Sequence, residues 1–156
     1  MPQNQLAPTT ISFSDADSGV LAWPVDDWAA ALEPPTVLVA EDDEGIRELL
    51  VFKLKMAGYR TLATGDGRTA KALAINERPQ LIVLDVSMPG MDGLGFCYEL
   101  QSSPQTADIP VIIINGRGEP SDVDLARIVG AEDYLVKPFT PAELLRRVER
   151  LLPIAG

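Results

Sequence analysis

The sequence contains no histidine and only one cysteine, Cys97. Without histidine, the chain lacks the commonest general base and metal ligand of catalytic sites. A lone cysteine cannot form a disulfide within the chain, and it excludes a zinc site built from four cysteines. The cysteine content therefore favours an intracellular setting, and we expect a cytoplasmic protein.

Basic residues and long apolar runs are also scarce. The 13 Lys and Arg residues are scattered and are outnumbered by 23 Asp and Glu residues, which gives a formal net charge of -10. Because nucleic-acid surfaces need clustered Lys and Arg, we expect no nucleic-acid partner. No segment has the continuity of a membrane span, and the first residues lack a secretory signal pattern, so we expect no membrane association.

The chain divides by composition into an arm and a domain. Its 156 residues suffice for one well-cored domain with an appendage. Residues 1–35 hold five prolines and five acids but no Lys or Arg, which predicts an acidic, mostly flexible arm. A short helix is possible at residues 26–33, and Trp23 and Trp28 suggest docking on the domain or a partner; the alternative is a disordered tail. The domain is predicted at residues 36–156.

Five apolar runs alternate with segments of helical periodicity after the arm. This alternation is typical of repeated βαβ units and a parallel sheet. We therefore predict an α/β fold of the flavodoxin-like (βα)5 type, a doubly wound parallel five-stranded sheet in the order 2-1-3-4-5. The predicted strands are residues 37–40, 60–63, 81–84, 111–114 and 134–136.

Local signals mark where the later helices begin and end. Residues 140–143 form a complete helix start, with Thr as N-cap, Pro at N1 and Glu at N3. Ser121 together with Asp124 predicts the start of the fourth helix, and Gly130 predicts its end. Residues 115–118 are predicted to form a loop.

Charged residues follow three of the predicted strands. Glu41 and Asp42 follow the first strand, Asp85 follows the third, and Lys137 follows the fifth. In such a sheet ligands bind beyond the carboxyl ends of strands 1 and 3, so we expect the acids to converge there. Crowded carboxylates raise one another's pKa unless a cation intervenes. Mg²⁺ fits best, because it prefers oxygen ligands and keeps several waters that a phosphate oxygen can replace.

Four segments of the chain resemble response-regulator receiver domains. They occur in the family's order, and although each is weak alone, the combination is specific. The resemblance covers roughly residues 36–153 and rests on VLVAEDDEGIRELL, LIVLDVSMPGMDG, PVIIINGRG and DYLVKPFTPAELL.

The resemblance implies a phosphoacceptor switch in a two-component phosphorelay. Asp85 would receive a phosphoryl group from a sensor histidine kinase, a phosphotransfer protein or a small phosphodonor. Glu41 and Asp42 would hold Mg²⁺ together with Asp85. The backbone carbonyl of Ser87 would complete the metal ligands, and Lys137 would contact the acyl phosphate.

Asn115 departs from the family pattern, which has Thr or Ser after the fourth strand. In the family that hydroxyl follows the phosphoryl group and lets an aromatic side chain, here Tyr134, turn inward. An amide can still donate to a phosphoryl oxygen, but it is larger and lacks the hydroxyl. An alternative hypothesis is therefore an atypical receiver that acts as a phosphorylation-independent interaction module. The resemblance also implies a cis Lys137–Pro138 peptide bond.

We expect signalling by protein contact rather than enzymatic turnover. Aspartate-nucleophile phosphohydrolases usually carry a second acid two residues after the nucleophile, where this chain has Ser87. Slow self-dephosphorylation is compatible with this expectation. Because the chain ends shortly after Leu152, no output domain is expected, and the output would be an unknown downstream protein or a homodimer.

Each of these residues also has a purely structural interpretation. Residues 41–43 could cap the first helix, and Asp85 could form an Asx turn. Lys137 could be a solvated surface lysine, Tyr134 an ordinary packing residue, and Asn115 a loop-forming residue. Their joint placement at one switch point favours the functional interpretation, because structural acids have no reason to gather there.

Overall fold

The computed structural model describes residues 33–154. Apart from its last three residues, the arm predicted at residues 1–35, with its tryptophans and short helix, lies outside the described residues. The described residues form five strands and five helices. The strands are β1 (Thr36–Ala40), β2 (Arg60–Thr64), β3 (Leu81–Asp85), β4 (Val111–Asn115) and β5 (Asp133–Val136). The helices are α1 (Glu44–Met56), α2 (Gly67–Glu77), α3 (Gly93–Ser102), α4 (Pro120–Ile128) and α5 (Pro141–Leu151).

The strands form a single parallel sheet in the order β2-β1-β3-β4-β5. This order confirms the predicted doubly wound, flavodoxin-like (βα)5 fold. Val39 of β1 pairs with Val83 of β3, and Leu84 of β3 pairs with Ile113 of β4. The winding therefore reverses between β1 and β3, where the sequence predicted a site.

Two separate cores cover the two faces of the sheet, because successive strand residues point to opposite faces. One core joins the sheet to α2, α3 and α4, and the other joins it to α1 and α5. The first includes Leu38, Ile82, Ile113, Ala70, Ala74, Cys97, Leu100 and Ala126. The second includes Val39, Val83, Ile112, Leu50, Leu54, Leu144 and Val148. None of the described helices combines the length and the apolar character needed to cross a membrane.

The predicted start of α5 is confirmed and that of α4 is wrong. Thr140 caps α5, and its hydroxyl oxygen accepts the N–H of Glu143 at 3.1 Å. Helix α4 begins at Pro120, with Glu119 rather than Ser121 as N-cap. The N–H of the first helical residue has no acceptor within the helix, so proline is favoured at that position. The helix therefore starts at Pro120, one residue before Ser121.

Asn115 ends strand β4, whereas the sequence predicted a loop from this residue onward. It pairs with Val136 of β5, and its backbone oxygen accepts the N–H of Lys137 at 2.8 Å. The neighbouring strand thus extends β4 by one residue beyond its apolar run. Side-chain pattern does not reveal this extension, because it comes from backbone hydrogen bonding.

Candidate functional site

The carboxyl ends of three strands bring Asp85, Glu41 and Lys137 into one crevice. Asp85 is the last residue of β3, and the other two directly follow β1 and β5. The ammonium Nζ of Lys137 lies 3.0 Å from Oδ2 of Asp85 and 3.3 Å from Oε1 of Glu41. The Lys137–Pro138 peptide bond is cis, as the family resemblance implied.

Glu41, Asp42 and Asp85 form a carboxylate cluster. Each offers a carboxylate oxygen, and these oxygens lie within 4.8 Å of one another. Glu41 and Asp85 are fully buried, whereas Asp42 is exposed. The structure therefore brings the three predicted acids together, and the side chain of Lys137 reaches the same crevice.

Asp85 is held through both of its carboxylate oxygens. Oδ1 accepts the N–H of Ser87 at 2.9 Å and its hydroxyl at 2.6 Å, while Oδ2 accepts the ammonium of Lys137 at 3.0 Å. Burial opposes ionisation, but the hydrogen bonds outweigh it and hold the pKa of Asp85 below its ordinary value. Oδ1 thus forms the Asx turn of the structural interpretation, while Oδ2 forms the ion pair with Lys137.

Glu41 is equally buried but has fewer donors. Burial raises the pKa of Glu41 to about 7, and the nearby Asp85 carboxylate adds to the effect. Its Oε2 accepts the N–H of Asp43 at 3.1 Å and the ammonium of Lys137 at 3.5 Å. Its Oε1 lies 3.3 Å from the same ammonium as an ion pair but has no hydrogen bond among the described residues. A buried carboxylate oxygen without a hydrogen bond, beside two further carboxylates, fits the oxygen donors that a hard divalent cation takes.

Lys137 is the counterpart of these acids. Partial burial opposes its charge, but the carboxylates of Asp85 and Glu41 outweigh this and raise the pKa of Lys137 above its ordinary value. Its side chain is 24% exposed, so the ammonium can meet a ligand entering the crevice. It is therefore a bound cation and not a freely solvated surface lysine.

The third acid of the first run has a structural role. Asp43 is the N-cap of α1, and its Oδ1 accepts the N–H of Ile46 at 2.9 Å. The capping interpretation is therefore right for Asp43, whereas Glu41 and Asp42 belong to the carboxylate cluster.

Asn115 and Tyr134 lie on neighbouring strands, and both are half-buried. The hydroxyl of Tyr134 donates to the backbone carbonyl of Arg117, in the loop between β4 and α4. Burial raises the pKa of Tyr134, and a hydrogen bond with the Asn115 side chain offsets part of this shift. The hydroxyl of Tyr134 is thus bound to the loop that follows Asn115, the residue that departs from the family pattern.

Sequence reasoning missed Arg47, on the first turn of α1. Its guanidinium Nη1 donates to the backbone oxygen of Glu41 at 2.8 Å. A basic residue so near a helix N-terminus runs against the helix dipole, which favours acids there. That mismatch is a signal in the sequence that could have drawn attention to this residue.

The fold and the placement of the charged groups define a receiver domain. Residues 37–149 match the Response regulator receiver domain family, and the chain belongs to this family. Such domains are the receiving modules of two-component systems.

Two curated relatives are transcriptional regulators. The DNA-binding dual master transcriptional regulator RpaA of Synechocystis is 41% identical over 118 residues, which cover 76% of this chain and 49% of that protein. The phosphate regulon transcriptional regulatory protein PhoB of Pseudomonas aeruginosa is 36% identical over 121 residues, which cover 78% of this chain and 53% of that protein. The chain therefore spans about half the length of these relatives.

A solved structure shares the fold along its own length. The chemotaxis response regulator CheY4 of Vibrio cholerae aligns with a TM-score of 0.72 and 34% sequence identity. The alignment covers 76% of this chain and 99% of that chain.

Proposed function

We propose that this receiver domain is a phosphoacceptor switch of a two-component phosphorelay, with Asp85 as the residue that accepts the phosphoryl group. The observation that carries the proposal is the ion pair of 3.0 Å between Lys137 Nζ and the buried Asp85 carboxylate, inside the carboxylate cluster. An ionised carboxylate is already a nucleophile, and phosphoryl transfer needs mainly positioning and charge stabilisation. The absence of histidine is therefore no obstacle to this role.

The transfer itself is a substitution at phosphorus. A carboxylate oxygen of Asp85 attacks the phosphorus of a phosphohistidine, and an O–P bond forms as the P–N bond breaks. The electron pair of the broken bond returns to the donor imidazole, and the product is an acyl phosphate. Since this chain has no histidine, the donor is another molecule: a sensor histidine kinase, a phosphotransfer protein or a small phosphodonor. Lys137 is positioned to contact the transferred phosphoryl group.

The carboxylate cluster fits Mg²⁺ as the cofactor. Glu41, Asp42 and Asp85 would hold the ion together with the backbone carbonyl of Ser87. A bound Mg²⁺ supplies charge neutralisation for the phosphoryl oxygens. The support for this site is the spacing of the three carboxylates and the buried Oε1 of Glu41, which has the Lys137 ammonium at 3.3 Å but no hydrogen bond.

The output is proposed to be protein contact, either with an unknown downstream protein or within a homodimer. We place the receiver domain at residues 36–156 and the protein in the cytoplasm, without turnover of an external substrate and with at most slow self-dephosphorylation. The acidic composition argues against nucleic acid as a direct partner of this domain. RpaA is named a DNA-binding regulator, but about half of its length lies outside the match, so this expectation concerns the matched domain only.

Asn115 favours a second candidate function, a phosphorylation-independent interaction module. Its side chain lies at the end of β4 beside Tyr134, where the family has a small hydroxyl that couples phosphorylation to the aromatic side chain. In this alternative the domain binds its partner in a single conformation.

Incubation with acetyl phosphate and Mg²⁺, followed by intact mass measurement, separates the two functions. The wild type should gain the mass of one phosphoryl group, and Asp85→Asn should gain none. An unmodified wild type would support the interaction module and overturn the switch. Asn115→Thr is incubated in parallel to test whether Asn115 prevents a conformational response to phosphorylation. A response that appears only in this variant would assign the loss of switching to Asn115.

A further inference from the structure

We propose that Arg47 is a positioning residue for the carboxylate cluster, and that Gly65 leaves the space its guanidinium occupies. This inference rests on the proposed function, in which the cluster holds Mg²⁺. Arg47 acts on the loop between β1 and α1, which carries Glu41 and Asp42.

Arg47 contacts all three acids of this loop through their backbone. Its Nη1 donates to the backbone oxygen of Glu41 at 2.8 Å and lies 3.4 Å from that of Asp42. Its backbone N–H donates to the oxygen of Asp43 at 2.9 Å. Arg47 therefore holds the loop on α1 through three successive backbone carbonyl groups.

The backbone of Glu41 is held on both sides as a result. Its N–H donates to the oxygen of Thr64 at 3.0 Å, which continues the pairing of β1 with β2. Its carbonyl accepts the guanidinium of Arg47, and hydrogen bonds from charged donors are stronger than neutral ones. With both backbone groups engaged, the Glu41 side chain has a defined direction into the crevice.

The guanidinium positions the acids without neutralising them. Among the ion pairs of residues 33–154, none joins Arg47 to a carboxylate, because its contacts go to carbonyl oxygens. Arg47 therefore occupies none of the carboxylate oxygens of the cluster, two of which pair with the ammonium of Lys137. An arginine that reached the carboxylates instead would compete with Mg²⁺.

Gly65 makes this arrangement possible. It follows β2, and a Cβ atom at this position would lie 2.7 Å from Nη1 of Arg47. It would also lie 3.4 Å from the backbone oxygen of Glu41 and from Cα of Asp42, which are ordinary contact distances. An alanine would therefore displace the flexible guanidinium and leave the loop backbone in place.

Calorimetric titration of the 156-residue protein with MgCl2 tests the inference. Arg47→Met keeps the aliphatic stem and removes the donors, and we expect its Mg²⁺ affinity to fall about tenfold, as for other residues that orient metal ligands. Arg47→Lys retains a cationic donor and should recover part of the loss. Arg146→Met, on an exposed position of α5, is the matched control and should bind like the wild type.

Gly65→Ala tests the contact of the Arg47 guanidinium with the loop without changing Arg47 itself. It should weaken Mg²⁺ binding when Arg47 is present and have little further effect in Arg47→Met, because both changes remove one interaction. Additive losses would overturn the assigned role of Gly65. Since Gly65→Ala keeps Arg47 in the chain, it also serves if Arg47→Met fails to fold.

The outcomes distinguish this inference from the proposed function. Wild-type affinity in both Arg47→Met and Gly65→Ala would overturn the positioning role while leaving the metal site intact. A wild type that does not bind Mg²⁺ would overturn the metal site and the positioning role together.

Discussion

Two acids with the same burial behave differently at the scale of single residues. Glu41 and Asp85 are both fully buried, yet the pKa of Glu41 rises to about 7 while that of Asp85 stays below its ordinary value. The difference comes from donors: Ser87 supplies two hydrogen bonds to Asp85. Burial alone therefore does not decide which carboxylate is ionised, and the hydrogen bonds keep Asp85 in the ionised form that its proposed role as phosphoacceptor requires.

Cys97 offers a prediction at the same scale. It is fully buried, and burial raises the pKa of its thiol to about 11. Because the thiolate is the reactive form, and a raised pKa favours the neutral thiol, iodoacetamide at pH 8 should leave the native protein unmodified. Intact mass measurement should show one adduct only after denaturant is added, since the chain has a single cysteine. Rapid modification without denaturant would contradict the burial of Cys97.

The helix starts differ at the scale of secondary structure. Helices α1, α2 and α3 are capped by aspartates, Asp43, Asp66 and Asp92, and α5 is capped by Thr140. Within the part of the chain that the structure describes, Glu119 makes no capping hydrogen bond to α4, although its backbone is extended like that of the other caps. Glutamate is too long for this geometry, so α4 lacks a stabilisation that the other helices have.

Adding a side-chain cap to α4 should raise the free energy of unfolding, and removing the cap of α5 should lower it. Glu119→Asp should raise the free energy of unfolding by about 0.5 to 1 kcal/mol, because the shorter carboxylate can accept a first-turn N–H. Thr140→Ala should lower it by about 1 kcal/mol, because it removes the existing cap. Urea unfolding of both variants and the wild type measures the changes. A Glu119→Asp variant no more stable than the wild type would show that α4 does not need a side-chain cap.

At the scale of the whole molecule, a long-range hydrogen bond joins the end of the described domain to the segment before β2. The hydroxyl of Tyr59 donates to the backbone oxygen of Leu152 at 2.7 Å, across 93 residues of sequence. Tyr59 directly precedes β2, and Leu152 is the C-cap of α5, so the contact secures the last helix on the sheet. Tyr59 is 3% exposed, which shields the hydrogen bond from water.

Tyr59→Phe should therefore lower the free energy of unfolding by about 1 kcal/mol at neutral pH. Burial, with a smaller contribution from Glu149, raises the pKa of Tyr59 above its ordinary value of 10.0. Because the pKa of Tyr59 is higher in the folded protein than in the unfolded chain, the stabilisation by its hydroxyl is complete below pH 10. This stabilisation is lost as the pH rises through the pKa of the folded state. Urea unfolding at pH 7 and above pH 10 should show the difference between wild type and variant shrinking at the higher pH. A difference that grows with pH would contradict this assignment.

The sequence predicted most of the fold because strand and helix signals are local. Runs such as residues 81–84 are apolar enough to mark buried strands, and their number and alternation indicate a doubly wound sheet. The errors lie at element ends, at Asn115 and at the start of α4. Asn115 joins β4 through its backbone pairing with β5, and no side-chain pattern reports such pairing.

By itself, the sequence determined which charged residues follow which strands, and so which residues could share a site. Only the tertiary structure decided how they interact: Lys137 meets Asp85 across 52 residues, Ser87 holds one oxygen of Asp85, and Glu41 keeps a buried oxygen without a hydrogen bond. The physical reason is that a pattern of residue types depends on neighbours in the chain. Burial, ion pairs and pKa values instead depend on neighbours in space, which exist only after the sheet has formed.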